Sequence, residues 1–278
     1  MELTQDDVER VVSAALAEDV GSGDATTLAL VPDDARCRAE LLLEEPGVVC
    51  GVPVVAAVFR ALDPGVKVET KLEEGTAVSD VPAVLAEIEG PARAILTGER
   101  VALNLLARLC GIASLTRRFV ELTEGTRTAV LDTRKTTPGL RALEKYAVRC
   151  GGGRNHRAGL SDGVLVKDNH LRVAGGVTKA LTALAGRVDG LPIEVEAETL
   201  DQVRKALEGG APRILLDNMS PEEVREAVEV TAGRAELEAS GGVSLATVRA
   251  YAETGVDFVS VGALTHSARS LHVSLEVL

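Results

Sequence analysis

Positively charged side chains are concentrated in one stretch of this 278-residue chain. From Asp132 to Arg172 there are nine Lys or Arg residues and four Asp or Glu residues, a local charge of +5. The whole chain has a formal net charge of −12, so the remainder sums to −17. A cationic cluster in an acidic protein focuses the electrostatic potential at one place, which predicts a site for a small anion. The sequence pI near 4.9 argues against a nucleic-acid surface.

Two interpretations of these cations are open. Arg141, Lys145 and Arg149 recur at helical spacing, which favours a solvent-exposed helix face. The other cations fall among turn residues or beside strand ends, in segments 133–135, 151–157 and 167–170. A solvated helix face does not explain this second group, so we assign the anion site to it.

Charged residues also mark the ends of successive predicted strands. They are Arg134 and Lys135 after the first strand, Lys167 on the second, Glu196 on the third and Asp217 on the fourth. Glu194 lies two residues before Glu196, so both share one strand face. Catalytic residues of α/β barrels gather at the C-terminal ends of the strands. We therefore predict catalytic roles for Lys135, Lys167, Glu196 and Asp217, and the two carboxylates are also suitable Mg²⁺ ligands.

Two glycine-containing turns follow the last two predicted strands and are expected to open helices. The residues concerned are Ser240, Gly241 and Gly242 in the first turn and Val261, Gly262 and Ala263 in the second. Backbone N–H groups at such turns commonly bind a phosphate in barrels of this class, and glycine lets the backbone approach the anion closely. The pair of turns predicts a phosphate site.

The second half of the chain alternates strictly between strand and helix patterns. Strands are predicted at 128–132, 163–167, 192–196, 213–217, 235–240 and 257–262. Helices are predicted at 140–149, 173–187, 200–208, 221–231 and 245–253, with a last turn after residue 263. Six such units indicate a parallel sheet and most simply a barrel, which must be incomplete because a standard barrel has eight strands.

The first half has a different pattern, with strands in neighbouring groups. Strands are predicted at 36–43, 47–50, 66–72 and 83–89, and helices from Thr4, at 52–62 and at 98–122, where Gly111 is expected to mark a bend. This order predicts an N-terminal α+β sandwich domain at 1–112, joined by a returning C-terminal segment, 271–278. The α/β-barrel domain is predicted at 113–270. The fold class is therefore α/β, with an α+β sandwich domain and a six- to seven-stranded incomplete barrel.

Several motifs together resemble one known family. They include TRKTTPGLR, EKYAV followed by GGGRNHR, and LVKDNH, with EDVGSGDAT, GERVALNLL, LLDN, SGGV and VGALTHS elsewhere in the chain. In this order and spacing they resemble nicotinate-nucleotide pyrophosphorylase, or quinolinate phosphoribosyltransferase. The resemblance implies a type II phosphoribosyltransferase fold with a short seventh strand at 155–157. It also implies the conversion of quinolinate and 5-phosphoribosyl 1-diphosphate (PRPP) to nicotinate mononucleotide, pyrophosphate and CO₂, in NAD biosynthesis.

The resemblance also implies roles for individual residues. Quinolinate carboxylates would be bound by Arg134, His156, Arg157 and Lys167, with Lys135 towards the PRPP. Thr133 is a further expected substrate-binding residue, and Glu196, Asp217 and the two glycine turns are expected to bind PRPP through Mg²⁺ and its phosphate. Mg²⁺ is the expected cofactor. Arg100 matches a residue contributed by a neighbouring subunit, which implies a homodimer with shared active sites, or a hexamer of such dimers. His266 is a candidate phosphate contact, whereas His170 is expected to be a structural partner of the KDN turn.

Other functions remain open at this point. A same-fold relative associated with molybdenum transport is the nearest, but GGGRNHR and KDNH are intact here. A nicotinate phosphoribosyltransferase would need fewer cations, because its substrate has one carboxylate. A Schiff-base aldolase using Lys135 or Lys167 would need an apolar pocket that lowers the lysine pKa. A non-enzymatic sugar-phosphate-binding protein would not explain the acidic strand ends.

The remaining composition indicates a cytoplasmic enzyme without membrane or nucleic-acid partners. Four cysteines, Cys37, Cys50, Cys110 and Cys150, lack a C-x-x-C spacing, so free thiols are favoured over a metal or disulfide framework. The N-terminal segment is acidic and polar, unlike a targeting peptide. No apolar run approaches the roughly 20 residues that span a bilayer.

Overall fold

The computed structural model describes residues 3–188 and 190–278, which pack into two compact units. The first unit contains the residues up to 117 together with 136–152 and 264–278. The second contains residues 118–135 and 153–263. This division places 136–152 and 264–270 with the N-terminal half, whereas the sequence assigned them to the barrel. These compact units are defined by contacts, so the predicted domain boundaries at 112 and 270 stay a prediction.

The first unit is built on a four-stranded antiparallel sheet, in the order β12-β1-β5-β3, and a two-stranded sheet, β2-β4. Its strands are β1 (Arg36–Leu43), β2 (Gly47–Val48), β3 (Lys67–Thr70), β4 (Ala77–Val78), β5 (Ala83–Pro91) and β12 (Val273–Val277). Its helices are α1 (Gln5–Asp19), α2 (Ala25–Leu30), α3 (Val52–Leu62), α5 (Arg141–Cys150) and most of α4 (Ala92–Thr123). The C-terminal strand β12 pairs antiparallel with β1.

Side-chain caps explain where the first two helices begin. The Thr4 hydroxyl accepts a hydrogen bond from the Asp7 N–H at 3.2 Å, and Val8, Val11 and Val12 form the buried face of α1. Helix α2 was not predicted, because its six residues are too short for a periodic pattern. Asp24 caps it by accepting the Thr27 N–H at 3.0 Å. Asp24, in the GSGDAT segment, therefore has a structural role at the start of this helix.

Helix α4 runs without interruption through Gly111, where the sequence predicts a bend, and the bend itself stays a prediction. A Cβ at Gly111 would clash with the carbonyl oxygen of Arg269, in the same unit. Close backbone packing at this point therefore requires the glycine. Leu103, Leu106 and Leu109 on this helix are buried within the chain.

Helix α5 is buried on most of its circumference, which corrects the solvated-face interpretation for Lys145. Both Glu144 and Lys145 are fully buried, together with Leu143 and Val148. Glu144 accepts hydrogen bonds from Arg108 Nη2 at 2.8 Å and from the Thr137 N–H at 3.0 Å. Helical spacing alone could not reveal this, because charged residues enter a core only when partners across the chain satisfy them.

The second unit is a parallel α/β assembly. Its strands are β6 (Ala129–Leu131), β7 (Val164–Val166), β8 (Ile193–Ala197), β9 (Arg213–Asp217), β10 (Glu236–Ser240) and β11 (Phe258–Ser260). Its helices are α6 (Asp168–Ala174), α7 (Val177–Leu184), α8 (Leu200–Glu208), α9 (Pro221–Thr231) and α10 (Val248–Ala252), and α11 (Ala263–His266) begins at its end. The sheet order is β6-β11-β10-β9-β8-β7, all parallel, which confirms the predicted barrel-type α/β architecture.

Three local features of this unit differ from the sequence-based expectation. The extra strand predicted at 155–157 is a single parallel bridge between Arg154 and Leu131. The helix predicted at 173–187 is two helices, because Gly175 and Gly176 adopt φ values of +83° and +111° and end α6. Residues before Thr247 form a turn, so α10 is shorter than predicted.

Among the residues that the structure describes, no helix combines the length and apolar character needed to cross a bilayer.

Candidate active site

A cavity of about 440 Å³ opens at the C-terminal ends of the barrel strands. All of its lining residues belong to the second unit: Thr133, Arg134, Lys135, His156, Arg157, Leu165, Lys167, Asp168, Glu196, Leu215, Asp217, Asn218, Glu238, Ser240, Gly241, Gly242 and Ser260. This volume lies in the range of small-molecule sites. The strand-end charges predicted from the sequence thus share one cavity.

Two guanidinium groups lie close together in this cavity. Burial lowers the pKa of Arg157, and the positive charge of Arg134 lowers it further. Arg157 Nη1 donates to the Gly163 carbonyl at 2.8 Å, which fixes the direction of its side chain. Arginine stays charged in proteins, so the two groups repel each other, while the Asp162 and Glu194 carboxylates act in the opposite direction on Arg157. Planar, bidentate donors of this kind match carboxylates well.

The buried carboxylate of Asp132 positions the segment that carries these residues. Asp132 Oδ2 accepts from Asn155 Nδ2 at 2.6 Å, and Oδ1 accepts from the His156 N–H at 2.9 Å. The Arg154 N–H donates to the Val130 carbonyl at 2.8 Å. Asp132 therefore holds the backbone before Arg157 against the end of β6. Asp132 is the last residue of the predicted strand 128–132, but its role as a hydrogen-bond acceptor was not predicted.

His156 is engaged on both ring nitrogens. Nδ1 accepts the Arg157 N–H at 2.8 Å, and Nε2 lies 2.8 Å from Glu194 Oε2. Since Nδ1 is an acceptor in this arrangement, Nε2 carries the proton and donates to Glu194. Burial opposes a charge on the ring, but the Glu194 hydrogen bond and the Glu238 carboxylate outweigh it and raise the pKa of His156. Direct binding of substrate by His156 stays a prediction.

A second acidic residue, Glu238, completes a buried polar layer with Glu194 beneath the cavity. Arg213 Nη2 donates to Glu238 Oε2 at 2.6 Å, and Arg213 Nε lies 3.3 Å from Glu194 Oε1. The guanidinium also lies over the Phe258 ring, 4.0 Å from its centre. Burial and the neighbouring Glu194 carboxylate raise the pKa of Glu238 to about 7. One arginine thus faces two carboxylates, while His156 Nε2 donates to Glu194 and the Ser260 side chain hydrogen-bonds Glu238.

Three carboxylates converge at the rim of the cavity. Oxygen atoms of Glu196, Glu198 and Asp217 lie within 4.8 Å of one another. Burial raises the pKa of Glu196, and the negative charge of Asp217 raises it further. Repulsion of this kind is relieved by a hard cation, and all three donors are oxygen atoms, so the residues present fit Mg²⁺. Glu198 was not predicted, although it continues the alternation of Glu194 and Glu196.

Asn218 connects the first glycine turn, residues 240–242, to the carboxylate of Asp217 by hydrogen bonds. Gly241 has φ +93°, and a Cβ there would clash with the Asn218 side chain. Asn218 Nδ2 donates to Asp217 Oδ2 at 2.7 Å, and the Asn218 N–H donates to the Ser240 carbonyl at 2.8 Å. The sequence predicts that Gly241 is a glycine so that the backbone can approach a phosphate. The close contact between this backbone and the Asn218 side chain is itself sufficient to require glycine at this position. This turn leads into another turn before α10, so it does not open a helix directly as predicted.

Lys167 reaches the cavity from the end of β7. The Lys167 N–H donates to His170 Nδ1 at 3.0 Å, which confirms that His170 is a structural partner of the KDN turn. Val261, Gly262 and Ala263 do not line the cavity described above, and Arg100 and His266 belong to the first unit. The roles of these five residues stay predictions. Asp168, Asn218, Glu238 and Ser260 line the cavity but were not anticipated.

Comparisons with known proteins agree with this geometry. A probable nicotinate-nucleotide pyrophosphorylase [carboxylating] of Bacillus subtilis is 41% identical over 273 residues, covering 97% of this chain and 93% of the relative. A protein of the same name from Synechocystis sp. is 43% identical over 267 residues, covering 95% and 90%. The solved nicotinate-nucleotide pyrophosphorylase from Francisella tularensis superposes with a TM-score of 0.95 at 39% identity, covering 100% and 98%.

Two family models divide the chain between them. The quinolinate phosphoribosyl transferase N-terminal domain matches residues 24–110, and its C-terminal domain matches residues 112–276. The paired guanidiniums, the carboxylate trio and the parallel barrel all lie within the second match. By sequence, fold and both domain models, this chain belongs to the quinolinate phosphoribosyltransferase family.

Proposed function

We propose that this protein is the decarboxylating quinolinate phosphoribosyltransferase of NAD biosynthesis. It converts quinolinate and PRPP to nicotinate mononucleotide, pyrophosphate and CO₂. The observation that carries this proposal is the pair of guanidiniums of Arg134 and Arg157 in a cavity with Lys135 and Lys167. Two carboxylates on one ring can pair with both guanidiniums at once, whereas a single carboxylate can form a bidentate pair with only one of them.

The carboxylates at the rim give the second part of the site. Glu196 and Asp217, with Glu198 beside them, would hold Mg²⁺, which would neutralise pyrophosphate charge when bound. Lys135 is exposed at the cavity and supplies a point charge for the phosphates of PRPP. Backbone N–H groups of Gly241 and Gly242 are the proposed contacts of the 5-phosphate.

Bond changes follow from these placements. The pyridine nitrogen of quinolinate attacks C1 of PRPP, and the C1–O bond breaks as pyrophosphate leaves with its electron pair. The bond from ring C2 to its carboxylate then breaks and releases CO₂. The pyridinium nitrogen stabilises the electron pair left on C2, and a proton takes the place of CO₂. Arg134 and Arg157 hold the quinolinate ring in position for attack. Orientation of the two substrates and the charged groups of the cavity therefore lower the activation barrier.

Product analysis tests this proposal directly. The protein is incubated with Mg²⁺, PRPP and quinolinate labelled in the 2-carboxylate, and each component is omitted in turn. We expect nicotinate mononucleotide, pyrophosphate and labelled CO₂ in equal amounts, only in the complete mixture. Retention of label in the nucleotide, or a covalent adduct trapped by borohydride on Lys135 or Lys167, would contradict it.

We also propose a homodimer in which Arg100 acts on the partner's cavity. Arg100 is exposed on α4 in the first unit, and the cavity is lined only by the second unit. The family resemblance supports delivery from another subunit. The leucines of α4 give no support for a dimer interface, since they are buried within their own chain.

We also propose a cytoplasmic location. Four free cysteines fit it, because thiols stay reduced in the cytoplasm.

A further inference from the structure

Two thiols and a carboxylate form a group in the first unit, and none of these residues lines the cavity described above. Sγ of Cys50, Sγ of Cys150 and a carboxylate oxygen of Glu74 lie within 4.8 Å of one another. Cys50 is fully buried just before α3, and Cys150 is half-buried at the C-terminal end of α5. The two cysteines are 100 positions apart in the sequence, so the fold brings them together.

The two thiols have different surroundings. A hydrogen bond from the Cys50 thiol lowers the pKa of Cys150, and the Arg149 charge acts in the same direction, whereas burial and the Glu74 carboxylate oppose this effect. Burial raises the pKa of Cys50. Cys150 therefore combines partial exposure, a lowered pKa and a second thiol within 4.8 Å, which are the properties of a reactive cysteine. Cys50 is placed beside it as a protonated second thiol.

The carboxylate in this group is already committed to protein donors. Glu74 Oε2 accepts from the Gly51 N–H at 2.7 Å and from the Tyr146 hydroxyl at 2.9 Å. Its Oε1 accepts from the Val52 N–H at 3.0 Å. These bonds cap the start of α3 and leave little capacity for a cation. The arrangement favours chemistry between the two sulfurs over metal coordination.

We propose that Cys150 and Cys50 are a redox-active pair that reduces a hydroperoxide and forms an intramolecular disulfide. The Cys150 thiolate attacks one peroxide oxygen, the O–O bond breaks, and sulfenic acid and water (or an alcohol) are produced once a proton is taken up. The Cys50 thiol then attacks the Cys150 sulfur, the S–O bond breaks, and water leaves. The peroxide gains two electrons, and the two thiols together lose two.

The other thiols provide internal comparisons. Cys110 Sγ lies 3.3 Å from both the backbone N and the carbonyl O of Cys50, and burial raises its pKa to about 12. Cys37 is half-buried on β1, where burial raises its pKa. Neither residue has the lowered pKa of Cys150, so both should stay reduced under mild peroxide.

The test treats the full chain with hydrogen peroxide near equimolar amounts, alkylates the remaining thiols and digests without reductant. We expect one cross-linked species that joins tryptic peptide 39–60 to peptide 150–154, an intact mass lower by about 2 Da, and full reversal by dithiothreitol. Cys50→Ser should instead leave a sulfenic acid on Cys150 that dimedone traps. Cys37→Ser, the matched control, should form the cross-link as the wild type does.

The peptide map of the wild-type protein decides the proposal by itself, because it does not depend on whether a variant folds. A map in which all four thiols remain alkylated, or in which Cys37 or Cys110 forms the cross-link, would overturn the proposal. A metal site is the other outcome that would overturn the proposal. In that case the wild type would hold one equivalent of tightly bound Zn²⁺ that protects Cys50 and Cys150 from alkylation, and Cys150→Ser would lose it.

Discussion

At the scale of single residues, a buried layer in the barrel brings two carboxylates together with one arginine and one histidine. Glu194 and Glu238 share Arg213, and His156 provides the second donor to Glu194. This layer lies directly below the segment that carries Arg157, whose N–H is bound by His156. We therefore expect the protonation of the layer to affect both the stability of the barrel and the position of the anion-binding arginine.

Glu238→Gln tests this protonation through its effect on stability. The ordinary pKa of Glu238 is 4.5 and rises to about 7 in the folded chain, so between these values the folded state binds more protons than the unfolded state. The free energy of unfolding of the wild type should therefore fall as pH rises through this window, by at most about 1.4 kcal/mol per pH unit. Gln does not titrate, so the variant should gain relative stability from about pH 5 to about pH 7. Urea unfolding at several pH values measures this, and parallel pH curves would contradict it.

Asp217→Asn tests the carboxylate trio. Loss of one charge from the trio should raise the Mg²⁺ requirement and lower kcat/KM for PRPP by about 100-fold or more, with a smaller effect on quinolinate KM. Asp201→Asn is the matched control, because Asp201 is an exposed carboxylate paired only with Lys205 on α8. Steady-state kinetics over a range of Mg²⁺ concentrations give the comparison. Wild-type PRPP kinetics with an unchanged Mg²⁺ response in Asp217→Asn would rule out the metal role.

At the scale of elements, the sequence predicted most strands and helices of the barrel closely, because their apolar patterns and caps are local. Strand β9 and helices α8 and α9 have the predicted bounds. The buried layer of Glu194 and Glu238 could not be predicted, since alternation shows which face a residue shares but not which partner lies across the barrel. The same limit applies to Lys145 on α5.

Gly241→Ala tests how the first glycine turn supports the site. Gly233→Ala is the matched control: both glycines have positive φ, but a Cβ at Gly233 meets nothing within 4 Å. Both variants should lose roughly 1 kcal/mol of stability from the backbone conformation. Only Gly241→Ala should displace Asn218, which is bonded to Asp217, and raise the KM for PRPP several-fold. Equal PRPP kinetics in the two variants would show that this contact does not position Asp217.

At the scale of the whole molecule, the proposed dimer is tested by complementation. Arg100→Ala and Lys135→Ala should each be nearly inactive as homodimers. Each mixed dimer has one site with neither substitution, and random pairing makes about half of the dimers mixed, so activity should recover to roughly a quarter of the wild-type value. No recovery, despite mixed dimers detected by native mass spectrometry, would place Arg100 outside the partner's site.

The most direct test of the central claim is substrate selectivity. Kinetics with PRPP and Mg²⁺ compare quinolinate with nicotinate, which lacks the 2-carboxylate. If Arg134 and Arg157 form a dicarboxylate site, nicotinate makes one guanidinium–carboxylate pair fewer than quinolinate, at a cost of about 2 kcal/mol or more. We predict kcat/KM for quinolinate at least about 100-fold above that for nicotinate. Comparable values for the two acids would contradict the assignment of the paired guanidiniums.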